Sequence, residues 1–191
     1  MVNTIGVLAL QGDFTRHREM LVSLGCRARA VRYVSDLEDL AGLVIPGGES
    51  TTISKQLDRS HLREAVSSFA RERPVMGTCA GLILMAREPS DNRVKSLNLL
   101  DVAITRNSWG RQVHSFTTPV KVQLNGRHDT VPAVFIRAPR IHEVGPEVEV
   151  LARIEDEPVL VRQFPHMGIA FHPELTNDTS IHRLFLEALP S

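Results

Sequence analysis

Pro74-Val75-Met76-Gly77-Thr78-Cys79-Ala80-Gly81-Leu82-Ile83-Leu84-Met85-Ala86 sets a short apolar strand, Pro74 to Gly77, almost directly against an apolar helix, Ala80 to Ala86. A strand meeting a helix with no loop between them is a unit of a parallel sheet, whose strands are covered on both faces and read as unbroken apolar runs. Upstream the pattern recurs. Thr4 to Leu10 is a near-continuous apolar run closed by Gln11-Gly12, and Thr15 to Leu24 places Met20, Leu21 and Leu24 at helical spacing before Gly25, a good helix-stopping residue. Cys26 to Arg32 alternates as a one-side-solvated strand, Leu43 to Ile45 is cut off by Pro46-Gly47-Gly48, and helical patterns follow over Ser50 to Leu57 and His61 to Arg71. The expected fold is therefore α/β: a doubly wound, mostly parallel sheet flanked by helices.

From about Leu99 the texture changes. Strand-like runs at Val102–Thr105, Pro119–Leu124, Ala133–Arg137, Val148–Ala152 and Val159–Arg162 predict strand-rich, partly antiparallel additions in the second half. Met167 to Phe171 reads as one more buried strand and Ile181 to Leu189 as a closing helix. With 191 residues, 42% of them hydrophobic, and no linker or repeat, one domain over 1–191 is expected. The 22 Lys and Arg balance 22 Asp and Glu, so no basic field gathers nucleic acid or anionic lipid. No apolar run reaches the roughly 20 residues of a membrane span, no leader pattern opens the chain, and two cysteines make no disulfide framework. These features point to a cytoplasmic setting without nucleic-acid or membrane partners.

Gly77-Thr78-Cys79-Ala80-Gly81 has the glycine spacing of a nucleophile elbow with Cys as the nucleophile. Glycines two before and two after let strand and helix approach, and the helix N-terminus favours thiolate. Taken alone, Cys79 reads equally well as a small buried hydrophobe. His172-Pro173-Glu174, directly after the last strand, shifts that balance. Pro173 favours extended backbone at His172, and in extended backbone Glu174 lies on the same side as His172 and can orient its imidazole. The result is a Cys79-His172-Glu174 triad. The turn Pro46-Gly47-Gly48-Glu49-Ser50 adds backbone N–H groups: that of Ala80 with that of Gly47 or Gly48 would form an oxyanion hole. The remaining histidines and Cys26 show no metal-ligand spacing, and His17, His61, His114 and His128 read as surface residues. Neither a metal nor a cofactor is called for.

These motifs resemble the class I (triad) glutamine amidotransferases, and among them most closely the glutaminase subunits of pyridoxal 5′-phosphate synthases. The stretches carrying the resemblance are Ile5-Gly6-Val7-Leu8 with Gln11-Gly12, Pro46 to Thr52, Thr78 to Leu82, Arg106-Asn107-Ser108 with Gly110-Arg111-Gln112, Phe135 to Pro139, and Phe171 to Leu175. The resemblance implies that Cys79 is the nucleophile, His172 the general base and then acid, and Glu174 its orienter. It also implies that L-glutamine lies against Gly47, Gly48, Glu49, Arg106, Ile136 and Arg137. The chemistry agrees for the charged members, since a carboxylate suits arginine and an ammonium suits Glu49. Two departures stand out: Trp109, where the family commonly has Phe, and the bulky run Gln163-Phe164-Pro165-His166. One α/β domain leaves no room to use the ammonia, so the acceptor is another chain. By resemblance it is the barrel-fold synthase subunit that makes pyridoxal 5′-phosphate. Two rival readings of the same residues are a cysteine peptidase-like hydrolase on a doubly wound fold and a binding module with a degenerate site.

Overall fold

In the computed structural model, which describes residues 2–89, 91–105, 115–124 and 126–190, the apolar runs become strands buried on both faces. Strand β1 (Thr4–Leu8) contributes Ile5, Val7 and Leu8, all at most 1% exposed, and each such side chain stabilises by roughly 1.5–3 kcal/mol relative to an exposed one. Helix α1 (Phe14–Ser23) buries His17, Met20 and Leu21 on one face. It ends where Gly25, at φ +83°, lets the N–H groups of Gly25 and Cys26 return to the carbonyls of Val22 and Leu21. That doubly bonded stop needs a left-handed residue at its centre.

Strand β2 (Arg27–Val31) connects to β3 (Gly42–Ile45) through only one 3-10 turn, Val34–Leu37. Helices α2 (Ser50–Arg59) and α3 (Leu62–Phe69) lead to β4 (Val75–Thr78), and α4 (Ala80–Met85) follows one residue later. Then come β5 (Ala86–Pro89), β6 (Leu100–Thr105), β7 (Ser115–Leu124), β8 (Arg127–Ile136), β9 (Arg140–Val144), β10 (Glu149–Ile154), β11 (Glu157–Gln163), β12 (His166–Ile169) and α5 (Ser180–Leu186).

The main sheet runs β2-β1-β3-β4-β12-β11-β10-β7-β8. Its first five strands are mutually parallel, with Met76 of β4 opposite Val44 on one side and Met167 on the other. The last four are antiparallel to their neighbours. A smaller sheet, β5-β6-β9, is hydrogen-bonded separately and packs β6 and β9 against β11 and β12 of the main one. The doubly wound parallel sheet with antiparallel additions is thus present as read. Strand order in the parallel part reverses between β1 and β3, and ligands of such sheets bind beyond the strand C-termini at that reversal.

The short strands β5 and β9 have no counterpart in the sequence reading. Strand β5 starts with the residue that ends the α4 turn and carries exposed Arg87 and Glu88; β9 reads Arg-Ile-His-Glu-Val. Each pairs with the apolar strand β6 that lies between them, and Arg87 bridges Asp101 and Glu143 across the small sheet. Strands β7 and β8 are each longer than expected and contain the paired prolines Pro119 and Pro132, which punctuate the pattern without ending the ribbon.

Candidate active site

Cys79 sits between β4 and α4 with φ 48° and ψ −102°, a conformation that non-glycine residues rarely adopt. Its surroundings impose it. The Cys79 N–H donates to the Ile169 carbonyl of β12 at 2.8 Å, and its carbonyl accepts from Ile83 N–H. A β-carbon on Gly77 would stand 2.5 Å from Met85 Sδ and 2.6 Å from the Gly81 backbone, and one on Gly81 would overlap the Ile45 carbonyl oxygen. The two glycines allow α4 to pack directly on β3 and β4, and the strained residue between them carries the thiol. Strain of this kind, about 1–3 kcal/mol, persists where surrounding packing over-determines it.

His172 follows β12. Its Nδ1 lies 2.7 Å from Glu174 Oε1, and Glu174 is buried with its side chain fully covered. The route differs from the sequence reading: Pro173–Leu175 is a 3-10 turn rather than extended chain, with His172 at φ −108° and ψ 86° as its cap. The tight turn, in which Leu175 N–H returns to the His172 carbonyl, brings the carboxylate back under the ring. His172 is anchored from the far side of the sheet, because its N–H donates to the Val134 carbonyl of β8 at 2.8 Å. A run of rings, Phe116 on Phe135 at 4.7 Å and Phe135 on Phe171 at 5.5 Å, fastens the β7–β8 ribbon to the residue preceding His172. Burial alone would lower the His172 pKa; the hydrogen bonds to Cys79 and Glu174 and their negative charge outweigh it and raise the pKa well above the ordinary imidazole value. For Glu174, burial works towards a raised value, and the neighbouring His17 and His172 hold the carboxyl below its usual range.

The turn after β3 closes the site. A β-carbon on Gly47 would stand 2.5 Å from His172 Cε1, so the imidazole packs on bare backbone. Gly48 has φ +147°, and Gly12 at φ +90° lies so close that a β-carbon there would overlap the Gly47 carbonyl oxygen. Gln11 Oε1 accepts the Glu49 N–H at 3.2 Å, which ties the end of β1 to this turn. Glu49 is the N-cap of α2: its carboxylate accepts from the N–H groups of Thr51 and Thr52 at 3.2 and 2.7 Å and from both threonine hydroxyls. Partial burial opposes ionisation, but these four donors push the Glu49 pKa down to about 2.

Cys79, His172, Gly48, Glu49, Ile136 and Arg137 line one cavity of about 340 Å³, together with Gln11, Ser50 and Ile83. Ile136 and Arg137 arrive from the end of β8, where Cys79 Sγ is 3.9 Å from the Ile136 carbonyl and Arg137 has φ 43°. A cavity of this size with one fixed carboxylate, one arginine and an imidazole beside a thiol matches a small zwitterion. Gly47 and Ala80 flank it through the His172 and Cys79 contacts. Arg106, Trp109 and the rest of 106–114, His114 included, lie outside the described residues. The Gln163–His166 run forms the β11–β12 turn, where His166 Nδ1 accepts the Val75 N–H. That is the N-terminal edge of β4 and β12, opposite the cavity.

One residue overturns its sequence reading. His17, expected at the surface, is 0% exposed, with Nε2 3.3 Å from Glu174 Oε2 and 3.2 Å from Thr78 Oγ1, and Nδ1 2.9 Å from His182 Nε2. His61 and His128 are exposed as read. The signal for His17 is in the helix period: it stands three and four residues before Met20 and Leu21, on the same face of α1. Among the described residues no cluster of three His, Cys, Asp or Glu side chains is arranged to hold a metal ion, and no helix is long and apolar enough to cross a membrane.

A thiol on a strained elbow and an imidazole–carboxylate pair, brought together by a doubly wound sheet, are the arrangement of an enzyme, and comparison with known proteins gives its class, the glutamine amidotransferases, and its family. The model of the SNO glutamine amidotransferase family matches residues 7–191, and the chain belongs to that family. Within it, relatives named pyridoxal 5′-phosphate synthase subunit PdxT are similar along nearly their whole length. The Thermus thermophilus protein is 49% identical over 193 residues, covering 98% of each chain, and that of Brevibacillus brevis is 48% identical over 184 residues, covering 96% of this chain and 95% of the relative. A solved structure described as a glutamine amidotransferase superposes with a TM-score of 0.89 at 45% identity, covering 96% of this chain and 97% of that one.

Proposed function

We propose that this chain, acting as one domain over residues 1–191, hydrolyses L-glutamine to L-glutamate and ammonia, and that it serves as the glutaminase subunit of a pyridoxal 5′-phosphate synthase. Cys79 gives its proton to His172 and attacks the carboxamide carbon. The resulting oxyanion is held by the N–H of Ala80, unpaired within its helix because it lies in the first turn, and by that of Gly47 or Gly48. Collapse breaks the C–N bond; His172 returns the proton to the departing nitrogen, ammonia leaves, and a glutamyl thioester remains. Water, deprotonated by His172, attacks the thioester carbon, and glutamate leaves with the thiol restored. Glu174 fixes the ring through Nδ1, so that the other nitrogen serves the sulfur. Arg137 or Arg106 takes the substrate carboxylate, and Glu49 takes the ammonium, beside Ile136.

The observation that carries this reading is the convergence in one 340 Å³ cavity of the elbow cysteine, the paired histidine and opposite fixed charges. Ammonia passes to a separate, barrel-fold synthase subunit, in keeping with relatives that are themselves named as subunits. Cys26 and Cys79, both unpaired, fit a reducing cytoplasmic setting. The test is glutamate release from glutamine by the purified chain, alone and with its synthase subunit, against a peptide substrate. Turnover of glutamine and not of peptide is the expected result; peptide cleavage without glutamate release overturns the assignment.

A further inference from the structure

The reading just given uses one oxygen of Glu174, and the structure makes the other conspicuous. Oε1 meets His172 Nδ1, whereas Oε2 is buried without an aligned hydrogen bond and stands 3.3 Å from His17 Nε2. Both side chains are 0% exposed, so bulk water does not serve that oxygen. Behind His17, Nδ1 lies 2.9 Å from His182 Nε2 on α5, and His182 is also fully buried. Three imidazoles and one carboxylate therefore form a continuous chain from α5 through α1 to the residue beside the thiol.

The tautomers follow from the partners. A lone pair on His17 Nε2 would face a buried carboxylate oxygen, so Nε2 carries the hydrogen and Nδ1 accepts from His182 Nε2–H. This arrangement also leaves His182 Nδ1, which has no partner, as a bare lone pair rather than a buried N–H. Burial, foremost, keeps both histidines neutral: it lowers the pKa of His17 and brings that of His182 down to about 3. His17 is thus a neutral, permanently oriented donor. Nε2 also lies 3.2 Å from Thr78 Oγ1 in hydrogen-bond geometry, so its one N–H is shared between that hydroxyl and the carboxylate, and Thr78, which immediately precedes Cys79, ties α1 to the elbow as well.

We propose that His17 is a positioning residue for the glutaminase reaction: its Nε2–H holds the second oxygen of Glu174, so that the carboxylate stays ionised and aimed at His172. The proposal rests on the triad reading above. Without that donor, Oε2 loses its one side-chain neighbour able to donate among the described residues, Glu174 is freer to rotate or to take up a proton, and His172 loses the orientation it needs toward Cys79. The other groups facing Glu174 or acting on its partners do not replace it. His172 is already used, His182 hydrogen-bonds to His17 and not to Glu174, Asp13 acts on His17, Thr78 bonds to His17, and Arg16 and Glu19 line a shallow cavity that Glu174 also lines, neither of them in an ion pair with it among the described residues.

The experiment compares His17→Gln, whose amide nitrogen falls near Nε2 and can donate to Glu174, with His17→Asn, whose shorter amide reaches the His182 side only. Glutamine hydrolysis is measured across pH with the synthase subunit present, along with the pH dependence of Cys79 alkylation by iodoacetamide. For His17→Asn, kcat falls about 10- to 100-fold, the scale of a lost hydrogen bond to a buried charge. The acidic limb of both profiles moves to higher pH, because Glu174 takes up a proton more readily. His17→Gln recovers most of that loss and moves the limb back. Equal activity and equal limbs in the two variants, whether high or low, overturn the proposal, since a merely structural role would not distinguish them. A Glu174→Gln control separates the layers: full turnover there removes the triad itself, while a crippled Glu174→Gln beside a normal His17→Asn removes only the part assigned to His17.

Discussion

The five parallel strands and the four antiparallel ones reach the same cavity by different means. In the parallel part every contribution is a turn at a strand C-terminus: Gln11-Gly12 after β1, Gly47 to Glu49 after β3, Cys79 after β4 and His172 after β12. Glycines allow those turns to approach one another, and on the proposed reading Cys79, His172 and the Gly47-Gly48 turn act on the reacting atoms. The antiparallel part contributes Ile136 and Arg137 from the end of one strand, which curls back until Val134 bonds to the residue beyond β12. On the proposed reading its groups meet the substrate away from the scissile bond. Chemistry thus sits, on that reading, in the parallel part and, Glu49 apart, recognition in the antiparallel one, and substitutions that fall on one part or the other test that division.

The largest effect falls in the parallel part. Cys79→Ala removes glutamine hydrolysis by a factor on the order of 10⁶, as loss of a nucleophile does. Cys26→Ala leaves turnover within about twofold, a surface-scale change, because Cys26 precedes β2 at the opposite end of the strands. Steady-state glutamate release distinguishes them, and comparable losses would erase the assignment of the chemistry to one turn.

Next in size is coupling to the synthase subunit. Free ammonia is largely protonated at neutral pH, so a glutaminase firing alone wastes glutamine and delivers a poor nucleophile. The turn after β3 is suited to gating, since Gly48 at φ +147° can rotate its peptide at low steric cost and Gln11 grips the following N–H at 3.2 Å. A mis-aimed donor forfeits roughly 3 kcal/mol of transition-state stabilisation, about a hundredfold in rate. Stopped assays with and without the partner should show kcat rising more than KM falls. An isolated chain already at full rate breaks the idea that the parallel part is incomplete alone.

Arg137→Ala probes the other side. Losing a charge-assisted contact to the substrate carboxylate should raise KM tenfold or more with kcat little changed. A fall in kcat with constant KM would place Arg137 in the chemistry and dissolve the division.

The two parts also differed in how much of them the chain disclosed. Strands buried on both faces declare themselves as apolar runs, and a close backbone approach declares itself as glycine, so the elbow, the Gly47-Gly48 turn and the His172-Pro173-Glu174 stop were legible residue by residue. Strands β5 and β9 were not, because they are short, partly charged edge strands that pair with the apolar β6 and have no apolar run of their own. The curl of β8 depends on rings far apart in sequence, Phe116, Phe135 and Phe171, and without the family resemblance Ile136 and Arg137 are ordinary strand-end residues. His17 was hidden differently: its position on the buried face of α1 is in the helix period, but a histidine among charged neighbours reads as solvent-facing until a buried carboxylate is put opposite it.

The smallest effect concerns Glu49, which stands in the parallel part yet is assigned to recognition. Its carboxylate caps α2 through two backbone N–H groups and two hydroxyls, and the donors hold its pKa at about 2, below the ordinary 4.5. A carboxyl depressed on folding stabilises the folded state fully above its unfolded pKa and progressively less as pH falls through its folded one. Glu49→Ala should therefore lower unfolding free energy by about 1 kcal/mol near neutral pH, the usual scale of a lost helix cap. The gap between wild type and variant should narrow as pH falls from about 4.5 toward 2. Urea titrations across that range measure it, and a gap independent of pH would mean that the cap does not depend on ionisation. The same variant's KM at neutral pH then decides where ammonium recognition lies. A carboxylate already accepting from four donors retains its charge but has few directions left for another partner, so the expected rise in KM is smaller than that for Arg137→Ala. A rise as large as the arginine's would assign the two ends of the zwitterion to opposite parts of the fold, which makes the cavity a clamp closed by the docking of the β7–β8 ribbon.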